Sequence, residues 1–296
     1  MTTREVAIIG AGPAGIAAAI QLLRSDVSPL LFGGGEPGGL LWNAYRVENY
    51  PGFPSGIAGP RLARRLLRHL HTVAGDVRSE RVELLSIEDD FRLTTGDGAH
   101  AARTVIIASG TRPRPFPDVP IDPDACGAVH RDVWALRTLR GRQIAIVGGG
   151  DAAFDYALTL ARRNAVTILV RGEETCCLPL LERRAVEHPR IRILAGCWLS
   201  SVCRGGSGLR LTIEGEGPER LDADALVVAI GREPDLSFVG EDVERNRSEL
   251  VETGRLHFVG DVDRGAFRQT SIAVGDGVSA AMKICARLRG RDDADR

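Results

Sequence analysis

An α/β fold built from two similar units is what the 296-residue chain predicts, on three observations. One pattern occurs twice: "VAIIGAGPAGIAAAI" (6–20) and "IAIVGGGDAAFDYAL" (144–158) each place a β-branched apolar run before a glycine-rich turn and a helical pattern after it. Each copy is followed by a further apolar run, "VSPLLF" (27–32) and "AVTILV" (165–170). Each half then closes on a run that stops at a glycine, "ARTVIIASGTRPR" (102–114) and "ADALVVAIGREP" (223–234), the form of the last strand of a nucleotide-binding βα unit. Length and composition agree: roughly 100–200 residues per domain gives about two domains. Hydrophobic residues at 44%, charged at 26% and aromatic at 5% are those of an ordinary soluble α/β chain.

Taken in order, "MTTREVAIIGAGPAGIAAAIQLL" could pass for an export signal, with an apolar run after Arg4. Glycine and proline interrupt that run, so it reads as strand "REVAIIG", turn "AGPAG" and helix "IAAAIQLL". No other stretch approaches the ~18 apolar residues of a membrane span, and the chain is expected in the cytoplasm. Short alternating stretches between Leu84 and Thr95, and between Leu209 and Ile213, predict small antiparallel excursions. Lys+Arg at 38 against Asp+Glu at 39, with no long basic run, excludes nucleic acid as an expected partner.

The glycines of the two turns have separate tasks. Gly10 and Gly148 permit the tight turn, Gly12 and Gly150 let a pyrophosphate approach the backbone, and Gly15 and Ala153 keep helix close to strand. An anion there sits on a helix N-terminus, where unpaired N–H groups and the dipole favour it. A lone turn of this kind can serve structure alone. Two copies, each in strand–turn–helix context, predict two Rossmann-like, three-layer dinucleotide-binding domains, most naturally for a flavin and a nicotinamide.

Seven stretches, "AIIGAGPAG", "EPGG" (36–39), "VENYPGFPSGIAG" (47–59), "IIASGTRPR", "IVGGGDAAFDYAL", "VVAIGREP" and "FVGDVDRGAFRQTSIAVGDGVSAAM" (258–282), stand in the order found in a known family. Over nearly its whole length the chain resembles the low-molecular-weight thioredoxin reductases and the thioredoxin-reductase-type ferredoxin/flavodoxin-NADP reductases. The resemblance implies FAD in a discontinuous domain, residues 1–113 and 248–296, with an NAD(P)H domain inserted at 114–247. It implies that Gly10, Gly12, Pro13, Ala14 and Gly15 hold the FAD pyrophosphate, and that Glu36, Gly38, Gly39, Leu40 and Asn49 lie beside adenosine or flavin. Ser109 and Gly110 would end the closing strand at the cofactor. Gly260 and Asp261 resemble a Gly-Asp pair whose carboxylate accepts from a ribityl hydroxyl, and Arg268, Gln269 and Thr270 resemble residues near the isoalloxazine. For the nicotinamide nucleotide the matching positions are Gly148, Gly150, Asp151, Ala152, Ala153, Arg171 and Gly231. The implied chemistry is hydride transfer to FAD and onward to an electron-accepting protein (ferredoxin-, flavodoxin- or thioredoxin-like) or a small molecule, in a homodimer.

The chain departs from the family at informative places. Thioredoxin reductases carry a C-x-x-C before the second glycine-rich turn, whereas "GAVHRDVWALRTLRGRQIAIVGGGD" contains no cysteine. That linker resembles the ferredoxin-NADP reductase branch. Six cysteines, at 126, 176, 177, 197, 203 and 285, show no C-x-x-C and no zinc-type spacing, which predicts neither a metal site nor a disulfide framework. Most are expected as buried small hydrophobes, and the lone Cys126 as structural. Cys176 and Cys177 are either ordinary thiols of a strand-to-helix loop, which is favoured, or a vicinal redox pair. Where the family often has His-Arg-Arg, "LVRGEE" keeps only Arg171, so NADPH is expected ahead of NADH. Leu40 stands where the family has glutamine. His130 is a proton donor near the flavin or, by preference, an exposed or capping histidine. Arginine pairs at 64/65, 162/163 and 183/184 are solvated faces or meet an acidic carrier. Three functions stay open: a dithiol-free FAD-dependent NAD(P)H oxidoreductase, which leads; a thioredoxin-disulfide reductase; and an FAD-binding redox sensor or ferredoxin-fed flavoprotein without productive NAD(P)H binding.

Overall fold

The computed structural model describes residues 2–116, 119–206 and 208–294. The chain divides into two compact units, Met1–Trp42 with Val47–Arg112 and Glu233–Arg296, and Asn43–Arg46 with Pro113–Arg232. In chain order the elements are β1 (Arg4–Ile9), α1 (Pro13–Leu23), β2 (Leu30–Phe32), α2 (Gly59–Thr72), β3 (Val82–Ile87), β4 (Phe91–Thr95), β5 (Gly98–Ile107) and β6 (Thr111–Pro113). The second unit follows with β7 (Val129–His130), β8 (Gln143–Val147), α3 (Asp151–Leu160), β9 (Ala165–Leu169), α4 (Pro179–Val186), β10 (Ile191–Leu194), β11 (Cys197–Gly205), β12 (Gly208–Gly215), β13 (Arg220–Ala223) and β14 (Ala225–Val228). The chain returns through β15 (Arg232–Pro234), which pairs with β6, to α5 (Glu241–Arg245), α6 (Arg247–Glu252), β16 (Leu256–Phe258) and α7 (Thr270–Ala294).

The first unit's sheet runs β2-β1-β5-β4-β3, with β16 also on β5. Strands β2, β1, β5 and β16 are parallel, with Ile8 opposite both Leu31 and Ile106. Parallel strands covered on both faces need apolar side chains at successive positions. Val6, Ala7 and Ile8, like Val105, Ile106 and Ile107, are accordingly fully buried. α1 and α7 close one face through Ile16, Ala18, Ala280 and Ala281, while Leu85, Phe91 and Leu93 with Phe238 and Val243 close the other. The second unit has a parallel sheet β10-β9-β8-β14-β7 and a separate antiparallel sheet β11-β12-β13. Its main core joins Ile144, Ile146, Phe154, Ala157, Val166 and Ile168. The excursions expected near 84–95 and 209–213 are the β3–β4 hairpin and the middle of this three-stranded sheet.

The unit boundaries differ from those expected. Residues 233–247, placed by sequence in the inserted domain, belong to the first unit. The Leu85 N–H donates to the Phe238 carbonyl at 2.7 Å, Gly240 N–H to the Leu85 carbonyl at 2.8 Å, and the Asp242 carboxylate takes the Ile87 N–H at 2.6 Å. Residues 43–46 leave the first unit for the second, because the buried Asn43 side chain accepts from Val133 and Trp134 N–H at 3.1 and 2.9 Å, and Tyr45 N–H donates to Asp155 at 2.7 Å. Among the described residues no helix is long and apolar enough to cross a membrane.

Candidate functional site

The first glycine-rich turn leaves β1 at Gly10, whose φ of +111° only glycine adopts readily. A Cβ there would stand 2.2 Å from the Ala108 carbonyl oxygen, and one on Gly15 would stand 1.9 Å from that of Gly10. These two glycines therefore let backbone meet backbone. Gly12 differs: it is the N-cap of α1, makes no side-chain cap, and a Cβ on it would meet nothing within 4 Å. With Pro13 at the first helical position, the N–H groups of Ala14 and Gly15 open toward that free space, since first-turn donors have no intrahelical acceptor.

Distant segments complete the cradle. Gly38 donates its N–H to the Ala11 carbonyl at 2.7 Å, and a Cβ on Gly39 would lie 3.2 Å from Gly12 Cα. Behind them, a Cβ on Gly38 would lie 2.8 Å from Ala63 Cβ of α2 and 2.9 Å from Trp42 Nε1, which donates to the Pro37 carbonyl. From the other end of the chain Gly260 comes against Ala14, a Cβ there lying 3.0 Å from that of Ala14. Asn49 Nδ2 donates to Gln269 Oε1 at 2.5 Å, joining positions 220 residues apart just before Thr270 opens α7. Ser109 donates its hydroxyl to the Asp235 carbonyl at 2.7 Å, and Gly110 accepts from Asp235 N–H. Asp261 lies in the short turn Gly260–Val262, and Arg268 is half-buried beside Gln269. Glu36 is exposed and Leu40 half-buried. Sequence reasoning missed two supports. Asp276 takes the Gly260 N–H at 3.1 Å and pairs with Arg264. Gly277 lets α7 touch α1, a Cβ on it standing 2.1 Å from the Ala14 carbonyl oxygen. The small-residue spacing Gly277/Ala281 was the available signal.

The second turn repeats the backbone geometry in its own unit. Gly148, at φ +148°, would carry a Cβ 2.3 Å from the Ala229 oxygen, and Gly150 caps α3 without a side-chain hydrogen bond. Ala153 is fully buried behind the turn and Ala152 is exposed. The loop 171–178 folds over this turn. Cys176 N–H donates to the Gly149 carbonyl at 2.9 Å, its Sγ lies 3.4 Å from the same oxygen, and Leu178 N–H donates to Asp151 Oδ1 at 2.7 Å. A Cβ on Gly150 would meet only Cys176 Sγ, at 3.9 Å. Nothing in the spacing of the sequence announces this contact. Arg171, Glu173 and Glu174 are exposed in the loop, and Gly231, at φ +110°, accepts from Arg114 N–H at 3.1 Å.

The cysteines correct an expectation, since only Cys197 and Cys285 are buried and all six are free thiols. Cys126 is exposed on the 3-10 turn Pro123–Ala128, its Sγ 3.6 Å from the Asp122 carbonyl. Cys176 and Cys177 bond different partners, and burial pushes the Cys177 thiol up from its ordinary value. His130 is neither exposed nor a cap: it is half-buried on β7, in register with Val227 of β14, and burial lowers its pKa.

Comparison with known proteins places this geometry. Residues 4–277 match the family model described as pyridine nucleotide-disulphide oxidoreductase. The thioredoxin reductase of Mycolicibacterium smegmatis is 33% identical over 301 residues, covering 95% of each chain. The bifunctional thioredoxin reductase/thioredoxin of Mycobacterium leprae is also 33% identical over 95% of this chain, which spans 65% of that protein's length. Among solved structures, Lactococcus lactis thioredoxin reductase superposes with a TM-score of 0.82 at 26% identity, over 95% of this chain and 98% of that one. With the two glycine turns in place, these likenesses make the chain a member of the pyridine nucleotide-disulphide oxidoreductases, on their low-molecular-weight thioredoxin reductase-like branch.

Proposed function

We propose that the protein is an FAD-dependent NAD(P)H oxidoreductase that passes electrons from flavin to a protein carrier or small acceptor without an intervening dithiol. The observation that carries this reading is the pair of uncapped, glycine-lined helix starts in a chain with no C-x-x-C. FAD suits the first turn: the space over Gly12 is open, and Gly38, Gly39 and Gly260 line it without side chains. Ala14 and Gly15 N–H would hold the pyrophosphate, Asn49 and Gln269 would orient the cofactor, and Ser109, Gly110, Asp261, Arg268 and Thr270 would surround it. Bound flavin supplies a two-electron acceptor that can release electrons singly. At the second turn Gly148, Gly150 and the N–H groups of Asp151 and Ala152 would receive the nicotinamide dinucleotide, with Gly231 leaving room beside it. Arg171, exposed just past β9, would meet the 2'-phosphate of NADPH. The balance is simple: NAD(P)H leaves as NAD(P)+ having lost two electrons and a proton, and two one-electron carriers each gain one electron.

Cys176 and Cys177 do not supply the missing dithiol. They are adjacent, they face different partners, and a thiol pushed up by burial is a poor thiolate nucleophile. A second reading, thioredoxin-disulfide reduction, is favoured by the names of the full-length relatives. Anaerobic titration decides: NADPH is expected to bleach the flavin band at lower concentration than NADH, and failure of both would end the oxidoreductase reading. Thioredoxin-dependent reduction of a chromogenic disulfide would move the assignment to the second reading.

A further inference from the structure

Helix α2 has an unusual polar face. Arg61, Arg64, Arg65 and Arg68 stand at i, i+3, i+4 and i+7, which puts them on one side of the helix along a strip of about 10 Å. All four are exposed, with His69 and His71 following at the C-terminal end. The helix contains no acidic residue, so no i,i+4 partner offsets the repulsion of like charges. Several other arginines of the same unit are neutralised in pairs: Arg78 with Glu80, Arg103 with Glu5, Arg112 with Glu233, Arg264 with Asp276. Two of the strip's guanidinium groups are instead held by aromatic rings, Arg64 over Trp42 at 5.2 Å and Arg65 over Phe53 at 5.4 Å. Ring stacking fixes direction while leaving the charge and the planar fork available.

The opposite face of α2 is spent on the unit's own packing. Leu62, Ala63 and Leu70 are buried, with Leu66 and Leu67 packed beside them, so the helix has no apolar edge to lay into a bilayer. The same buried face forms the wall of the flavin cradle. Ala63 and Trp42 occupy the space behind Gly38, and Trp42 is the ring under Arg64. The charged strip and the first glycine turn are thus two sides of one short layer.

We propose that the arginine face of α2 is the docking surface for an electron-carrier protein whose own docking face is rich in carboxylates. This rests on the reading of the first turn as a flavin site that delivers electrons outward. Guanidinium forks take carboxylates two hydrogen bonds at a time, and a single-sign strip steers an acidic partner before contact. A second copy of this chain would bring the same positive strip and be repelled, so a two-fold contact through α2 is disfavoured by its charge.

The test compares the FAD-loaded wild type with Arg61→Glu combined with Arg68→Glu, and with Arg61→Lys combined with Arg68→Lys. The probes are an oxidised [2Fe-2S] ferredoxin and an oxidised flavodoxin, read by direct titration at low and high salt, with NAD(P)H-driven reduction of a neutral quinone followed alongside. The glutamate pair is expected to weaken binding of at least one acidic carrier tenfold or more at low salt and to remove its salt dependence, while the lysine pair keeps most of it. Flavin content and the melting midpoint check the fold. If the glutamate pair sheds FAD, Arg61→Gln with Arg68→Gln takes its place. Equal binding by wild type and charge-reversed protein overturns the proposal, as does a parallel loss of quinone reduction. Binding of anionic vesicles or duplex DNA without either carrier, or burial of α2 in a homodimer, also overturns it. Carrier binding that depends on the arginines in a protein whose flavin no nicotinamide bleaches would leave the docking face standing and defeat the functional reading instead.

Discussion

The two glycine-rich turns are nearly one structure where backbone meets backbone and two different structures where a ligand would sit. Gly10 N–H reaches the Phe32 carbonyl at 2.8 Å and Gly148 N–H the Leu169 carbonyl at 3.0 Å. A Cβ on either glycine would strike a neighbouring strand's carbonyl oxygen, at 2.2 and 2.3 Å. Beyond that the copies part. The first helix begins with Pro13 and has no acid in its first turn, and its open space is lined by glycines from residues 38, 39 and 260. The second begins with Asp151, and the loop carrying Cys176 lies across it. A carboxylate and a strap at a helix start weaken its hold on an anion. The contrast suits a cofactor that stays at the first turn and one that must leave the second in every catalytic cycle.

The largest effect separates ligand space from fold space. Gly12→Asp puts a carboxylate into the open region, and aspartate is an N-cap at least as good as glycine, worth roughly a few tenths of a kcal/mol to α1. The purified variant is expected to carry no FAD yet melt no lower than the apo wild type, as absorbance and circular dichroism will show. Gly10→Ala should do the reverse and cost the fold itself. The positive φ alone costs roughly 1–3 kcal/mol, before the collision with the Ala108 carbonyl. If Gly12→Asp also unfolds the protein, the distinction between the two glycines is lost. At the second turn Gly150→Asp is expected to leave FAD content intact and weaken NADPH binding on the order of tenfold, measured by titration of the flavin band. Arg171→Ala follows with a smaller and more selective change: KM for NADPH rises roughly tenfold, the loss of one charge-assisted hydrogen bond, while KM for NADH stays put. A parallel rise for both nucleotides would remove Arg171 from the 2'-phosphate.

The pair of turns was legible because a glycine's conformational demand is local: Gly10, Gly15 and Gly148 are required by atoms of adjacent strands or of their own turn. The family resemblance added Gly38, Gly39 and Gly260, which lie against Ala11, Gly12 and Ala14 of the first turn. What stayed hidden depends on tertiary contacts with no sequence period. The 233–247 segment joins the first unit through Leu85 and Phe238, and apolar patterning alone does not tell which sheet an apolar residue covers. Cys176 reaches Gly149 by the path of an irregular loop. Most cysteines were expected in the core because thiols bury well, yet loop and turn placement leaves Cys126 and Cys176 exposed. The replacement of both Cys176 and Cys177 by serine tests what their position means. A serine hydroxyl can keep the contact to the Gly149 carbonyl, so NAD(P)H-driven turnover with ferredoxin or quinone should stay within about twofold of wild type. A loss restricted to disulfide substrates would restore them as a redox pair.

The smallest effect concerns the units rather than the turns. In the first unit Glu80 accepts from His100 Nε2 at 2.7 Å, from Arg78 at 2.9 Å and from Thr95 at 2.9 Å. These contacts, led by the His100 hydrogen bond, lower its pKa from the ordinary 4.5 to about 2. A depressed carboxyl pKa means that the folded state binds the proton less readily than the unfolded chain. Its contribution is therefore complete above about pH 4.5 and is lost as pH falls toward 2. Acid should accordingly loosen the first unit between pH 4.5 and 2, read as a fall in its melting midpoint across that range. Glu80→Gln is expected to flatten that limb of the stability–pH curve while leaving its neutral plateau slightly lower. An unchanged acid limb would mean that the His100 contact does not set the acid sensitivity of the first unit.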